Sequence, residues 1–144
     1  MSGFNDAPTS GAVSTSHALA TRAGARALQR GGNAVDAAIA AAAALCVVYP
    51  NNVALGSDLV ALIREPSGRI RFVDAIGRAA QAESIGRLRE RHGSFLPPRS
   101  IDAVTVPGGV RGWEAMARLG ARLGCSDLFA DEHALALDGH PLAA

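Results

Sequence analysis

Neither sign of charge dominates this 144-residue chain, in which 14 Lys and Arg face 13 Asp and Glu for a net charge of +1. The dense positive field on which nucleic-acid and anionic-membrane binding depend is absent, so neither partner is expected. Cysteine is scarce as well. Cys46 and Cys125 lie far apart with no CxxC spacing, which argues against a disulfide framework and a zinc site and predicts two buried thiols. No hydrophobic run reaches the roughly 20 residues of a membrane span. The longest, Ala34 to Tyr49, is interrupted by Asp36 and reads as a buried helix. Residues 1–10 are polar and carry Asp6 and Pro8 where a secretory leader needs a basic start and an apolar stretch. A disordered polar tail and a cytoplasmic location are expected. There is no GxGxxG fingerprint, no P-loop, no internal repeat and no low-complexity linker, so nucleotide binding is disfavoured and no cofactor is anticipated. With 49% hydrophobic residues, what remains is enough for one ordinary domain with its own core over residues 11–144.

Gly11 to Ser16 alternates small and β-prone residues and predicts a short opening strand. His17 to Arg30 spaces Leu19, Ala23, Ala27 and Leu28 at helical intervals and ends at Gly31 and Gly32, a well-marked helix stop. Asn33 is placed to cap a second, Ala-rich helix whose first turn holds Asp36, and Pro50 stops it. Such a thin helix invites close packing. Leu59 to Arg64 and Arg69 to Ala75, joined by Pro66-Ser67-Gly68, predict a β-hairpin. Glu83 to His92 predicts a charged amphipathic helix with Ile85, Leu88 and His92 turned inward. A brief strand at Ala103 to Val106 follows. The Pro107-Gly108-Gly109 turn then leads to a helix over Val110 to Arg122 burying Trp113 and Met116, and Asp127 to Leu137 predicts the last helix.

Residue by residue, little reads as catalytic. His17 sits where a helix-start histidine caps or packs, and His92, His133 and His140 have no ligand-like spacing. Asp36, Asp58 and Asp74 suit caps and turns better than acid–base work. Thr9, Thr15, Thr21 and Thr105 lie within the chain or its tail with no self-cleavage context. The amides after Pro107 could bind an anion, but without a lysine and Ser/Thr pattern phosphate is a poor fit. No metal site is expected.

The run SHALATRAGARALQRGGNAVDAAIAAAAALCVVYP, Ser16 to Pro50, resembles the opening of γ-glutamyltransferase (γ-glutamyltranspeptidase) family chains, members of the N-terminal-nucleophile hydrolase superfamily. LGSDLVALI (Leu55 to Ile63), GRAA (Gly77 to Ala80), AVTVPGGVRGWEAM (Ala103 to Met116) and DLFADEHALALDGHPL follow in the same order as their family counterparts. The collinear set carries the resemblance, because GGNAVDAA alone is only a helix junction. It implies an α+β fold, a partial αββα sandwich corresponding to the N-terminal part of the large subunit. It also implies a precursor that cleaves itself, so that a new N-terminal threonine attacks a γ-glutamyl amide and passes the acyl group to water or an amine.

On that resemblance the threonine belongs beyond Ala144, no catalytic residue falls in this chain, and the chain alone is expected to be inactive. Its expected partners are a γ-glutamyl small molecule, such as glutathione, and the remaining part of the enzyme. The alternatives are a related amidase or acylase, or a remnant that binds γ-glutamyl ligands or a subunit without turnover. Arg78 falls where the family places the arginine that holds the substrate's α-carboxylate, a task suited to a planar fork of donors. The alternative is a surface arginine in an ordinary salt bridge. Family members usually follow this arginine with proline, whereas Ala79, Ala80 and Gln81 follow it in this sequence, which predicts a less rigid loop. Ser57 and Asn51 to Ala54 likewise stand in a segment usually richer in glycine.

Overall fold

His17, with extended backbone, turns its imidazole back to accept the amide of Leu19 and so caps the first helix, α1 (Ala18–Gln29). At the other end Gly31 adopts φ +89, the amide of Gly31 donates to the Leu28 carbonyl, and that of Gly32 donates to Ala27. This is the two-bond stop that favours glycine in the left-handed region. Asn33 then caps α2 (Ala34–Val48): its side chain accepts from Val35 and Asp36, and the Asp36 carboxylate accepts the Asn33 amide. A reciprocal cap of this kind contributes about 1 kcal/mol. The computed structural model describes residues 11–141.

The described residues form two units. One comprises the chain up to Leu55 together with Trp113 onward, and the other is Gly56–Gly112. In the first unit α1 packs on α2 through small side chains. Ala20, Ala23, Ala44 and Val48 form a buried cluster flanked by Leu19, Leu45, Val47, Tyr49 and Leu135. Gly24 marks the tightest approach, since a Cβ there would meet the Ala37 carbonyl at 2.9 Å, Val13 Cγ1 at 2.8 Å and Ala41 Cβ at 3.3 Å. Two short helices, α5 (Cys125–Leu128) and α6 (Ala130–Asp138), are the last helices of this unit. Arg26 pairs with Asp131, and Arg30 donates to the Asp127 carbonyl at 2.8 Å, fastening α1 to them.

In the second unit β1 (Leu59–Arg64) and β2 (Ile70–Ala75) pair antiparallel, with Leu62 opposite Phe72 and Leu59 opposite Ala75. The hairpin turn places Gly68 at φ +87. Alternation along both strands puts Leu59, Ala61, Ile63 and Val73 on the more covered face, and Val60, Leu62, Ile70 and Phe72 on an exposed one. A helix, α3 (Ile85–His92), capped by Ser84, and a 3-10 turn (Ile101–Ala103) follow. The next helix, α4 (Gly109–Arg118), begins against the hairpin: a Cβ on Gly112 would meet Leu59 at 2.8 Å and Ala75 at 2.9 Å. Its later residues Trp113 and Met116 are buried as the sequence predicts, and Trp113 meets the Phe129 ring at a tilt of 43° with centroids 5.9 Å apart.

Several expectations are corrected. Residues 11–16 form no strand, because a ladder needs a hydrogen-bonded neighbour and none is present among the described residues. The expected strand at Ala103 to Val106 is a 3-10 end followed by irregular chain. The helix after Pro107 stops at Arg118 rather than Arg122, with Gly120 at φ +133. The last helix is broken at Phe129, which turns toward Trp113. Ile85 points outward, 69% exposed, while Leu88 and His92 are half-buried. Cys125 is exposed and Cys46 only half-buried. Burial raises the Cys46 thiol pKa, helped by the nearby Glu132 carboxylate. The tail assigned to residues 1–10 lies outside the described residues. No helix among those described is long and apolar enough to cross a membrane.

Candidate functional site

The exit of β2 is the most closely specified piece of backbone in the second unit. Ile76 donates its amide to Asp74 at 3.1 Å, Gly77 donates to the Asp58 carboxylate at 2.9 Å, and the Arg78 carbonyl accepts from Val106 at 2.9 Å. Thr105 donates its hydroxyl to the same Asp58 oxygen at 3.1 Å. Gly77 has to be glycine: a Cβ there would run into the Val106 carbonyl and the Thr105 side chain. Gly108 is equally constrained by the Ala75 carbonyl, and Gly109 donates its amide to Ser57 at 2.8 Å. The amide of Gly109 is therefore already committed within this unit rather than offered to an anion.

Arg78 emerges from this knot with an exposed side chain. Among the described residues its guanidinium makes no hydrogen bond or ion pair. An arginine on fixed backbone with its fork unoccupied can receive a planar carboxylate through two parallel hydrogen bonds.

The other singled-out residues are brought into structural roles. Asp36 is completely buried and accepts backbone amides, Asp74 forms a turn, and His17 caps α1. Thr15 donates to the His17 carbonyl at 2.8 Å and meets the Thr21 hydroxyl at 2.9 Å. Thr9 lies outside the described residues. His140 Nε2 lies 3.2 Å from the Val47 carbonyl, and its ring stands edge-on to His17 with centroids 6.3 Å apart, a meeting that spacing could not show. His133 is exposed on α6. No group of His, Cys, Asp and Glu able to hold a metal occurs among the described residues.

Two features had no clear signal in the sequence. His92 Nε2 lies 2.7 Å from Asp102 Oδ2, while Arg91 donates to Asp102 at 3.1 Å and pairs with Glu83. Asp58, which reads as an ordinary turn residue, spans three segments, because it lies 19 residues from Gly77 and 47 from Thr105. Separately, a groove of about 630 Å³ in the first unit runs between residues 11–15 and α2. Its α2 wall is mostly alanine, and Arg122 is its only charged lining residue among those described. A wall of alanine offers little to orient a polar substrate.

Comparison with known proteins bears on the family and the fold. The Gamma-glutamyltranspeptidase family model matches residues 20–144. The chain is 37% identical over 134 residues to the glutathione hydrolase-like YwrD proenzyme of Bacillus subtilis, covering 92% of this chain and 25% of that protein. It is 36% identical over 143 residues to the oxamate amidohydrolase proenzyme of Klebsiella pneumoniae, covering 94% and 26% respectively. Among solved structures, Helicobacter pylori γ-glutamyltranspeptidase superposes with a TM-score of 0.83 at 31% identity, over 96% of this chain and 40% of that one. The chain thus spans about a quarter of the length of the curated relatives it matches. Its helices and two-stranded sheet form an α+β arrangement shared with γ-glutamyltranspeptidase structures. The chain belongs to the γ-glutamyltranspeptidase family.

Proposed function

We propose that this chain contributes the carboxylate grip of an enzyme that hydrolyses or transfers a γ-glutamyl group, as from glutathione. The nucleophile is an N-terminal threonine outside these 144 residues. The observation that carries the reading is Arg78, whose exposed guanidinium has no partner among the described residues and whose backbone is pinned at Gly77 and at its own carbonyl. In this scheme Arg78 binds the α-carboxylate and fixes the glutamyl chain, so that its γ-carbonyl meets the threonine hydroxyl. The threonine's own amine takes the proton, the acyl group is held as an ester, and water or an amine releases it.

The exposed face of the hairpin supports an αββα sandwich. Leu62 and Phe72, directly opposed, are 73% and 60% exposed, and Val60 and Ile70 flank them. A second sheet laid on that face would bury them at the ordinary sheet spacing of about 10 Å.

The test is an assay of the full-length protein with γ-glutamyl anilide against simple amides, beside the same assay on the 144-residue chain. Turnover of γ-glutamyl anilide by the former and none by the latter is expected. Sustained turnover by the short chain would remove the threonine from the account. A second reading, an amidase or acylase of the same family with another acyl group, is favoured by the oxamate amidohydrolase relative at nearly the same identity. Preference for a non-glutamyl amide in that assay would select it.

A further inference from the structure

Arg78 can orient a substrate only if its Cα is held, and the holding is done from one side chain that lies before the hairpin. Asp58 directly precedes β1, and its Oδ1 accepts both the Gly77 amide, at 2.9 Å, and the Thr105 hydroxyl, at 3.1 Å. A single oxygen therefore ties the entrance of β1, the exit of β2 and the chain that leads to α4. Val106, next to Thr105, closes the loop by donating to the Arg78 carbonyl. The peptide unit after the Arg78 Cα and the one that enters Gly77 are thus anchored to two neighbouring segments, with Gly77 packed too closely to shift sideways.

The Asp58 carboxylate is directed at a backbone amide and a hydroxyl. It makes no ion pair with Arg78 among the described residues, so it orders the backbone while leaving the guanidinium fork open. We propose that Asp58 is a positioning residue for the Arg78 carboxylate site, with Thr105 as its support. The inference rests on the reading of Arg78 as the α-carboxylate grip. Because an amide oxygen accepts the same two hydrogen bonds, the role requires an acceptor at Oδ1 and not a negative charge.

The test uses the full-length protein and two anilides, γ-glutamyl and 4-aminobutyryl, the second being the first without its α-carboxylate. Asp58→Ala is expected to raise KM for the γ-glutamyl anilide about fivefold to tenfold, the scale of one or two lost hydrogen bonds. It should change kcat less, and leave the 4-aminobutyryl anilide unaffected. Asp58→Asn should bring KM back to within about twofold of the parent. Thr105→Val, should Asp58→Ala fail to fold, is expected to raise KM for the γ-glutamyl anilide alone by about twofold to threefold.

Arg78→Ala serves as the reference and should abolish the preference between the two anilides. If Arg78→Ala abolishes that preference while Asp58→Ala and Thr105→Val weaken both substrates equally, Asp58 is merely structural and the proposal fails with the Arg78 reading intact. If Arg78→Ala leaves the preference unchanged, the Arg78 reading fails and the proposal goes with it.

Discussion

The Asp36 carboxylate accepts the backbone amide of Arg122 with both oxygens, at 3.0 and 3.1 Å, although 86 residues separate them. The same carboxylate takes Leu123 at 2.9 Å and Asn33 at 2.7 Å. One side chain thereby caps α2 and ties down the turn after α4. Asp36 is wholly buried, and removing an acceptor from such a place strands donors that water cannot reach. Asp36→Ala is expected to destabilise the protein by about 3 kcal/mol or more, read by urea unfolding, and Asp36→Asn by about 2 kcal/mol because its NH2 faces donors. A loss below the scale of one hydrogen bond would refute this assignment.

Gly24→Ala opposes two effects. Alanine favours a helix interior over glycine by about 1 kcal/mol. Its Cβ, however, would sit 2.9 Å from the Ala37 carbonyl and 2.8 Å from Val13, and overpacking of that kind costs about 1 to 3 kcal/mol. A net loss of stability is expected, larger still for Gly24→Val. A rise in melting temperature for Gly24→Ala would show that α1 and α2 can part freely.

The link between α3 and the 3-10 turn depends on acid in a defined direction. The hydrogen bond with His92, aided by the Arg91 charge and against a desolvation penalty, holds the Asp102 carboxyl below its ordinary value of 3.8. The hydrogen bond from Arg91 does the same for Glu83 against 4.5. A folded-state pKa below the unfolded one gives stability that is present above the unfolded value and is lost as pH falls through the folded one. Amide exchange over residues 83–103 should therefore accelerate as pH drops below about 4, after correction for intrinsic rates, and Asp102→Asn should flatten that dependence. Glu132 has the opposite sign. Desolvation raises its carboxyl above 4.5, so its contribution is present in acid and is lost as pH rises through the raised value.

Arg78→Lys should separate charge from geometry. Lysine keeps the positive charge but loses the planar fork. KM for a γ-glutamyl amide is expected to rise about tenfold in the full-length protein, with less change for a substrate lacking the α-carboxylate. Equal KM for Lys and Arg would mean that charge alone suffices.

Leu62→Lys probes the exposed hairpin face. With Leu62 already 73% exposed, the substitution should alter the stability of the 144-residue chain by no more than about 0.5 kcal/mol. In the full-length protein it should cost several-fold more, since a covered face would then bury an unpaired ammonium. Equal effects in both would remove the second sheet from that side.

Local structure was largely legible from residue order. The caps at His17 and Asn33, the stop at Gly31-Gly32 and the hairpin around Gly68 each depend on neighbours a few residues away, and the chain adopts them as predicted. The misreadings share a cause. Residues 11–16 and 103–106 carry strand-like composition, but a strand exists only with a partner, and composition cannot supply one. Ile85 fits an inward stripe, yet little packs over α3 to cover it.

By itself the sequence determined the family, the order of helices and hairpin, and Arg78 as the residue to watch, because motifs and short-range hydrogen bonds are written along the chain. Only the tertiary structure decided that Asp36 reaches Arg122 and Leu123, that Asp58 joins Gly77 to Thr105, and that the Arg78 guanidinium finds no partner among the described residues. Those outcomes depend on which backbone donors arrive beside a carboxylate after folding. A hydrogen bond spanning tens of residues leaves no periodicity to read.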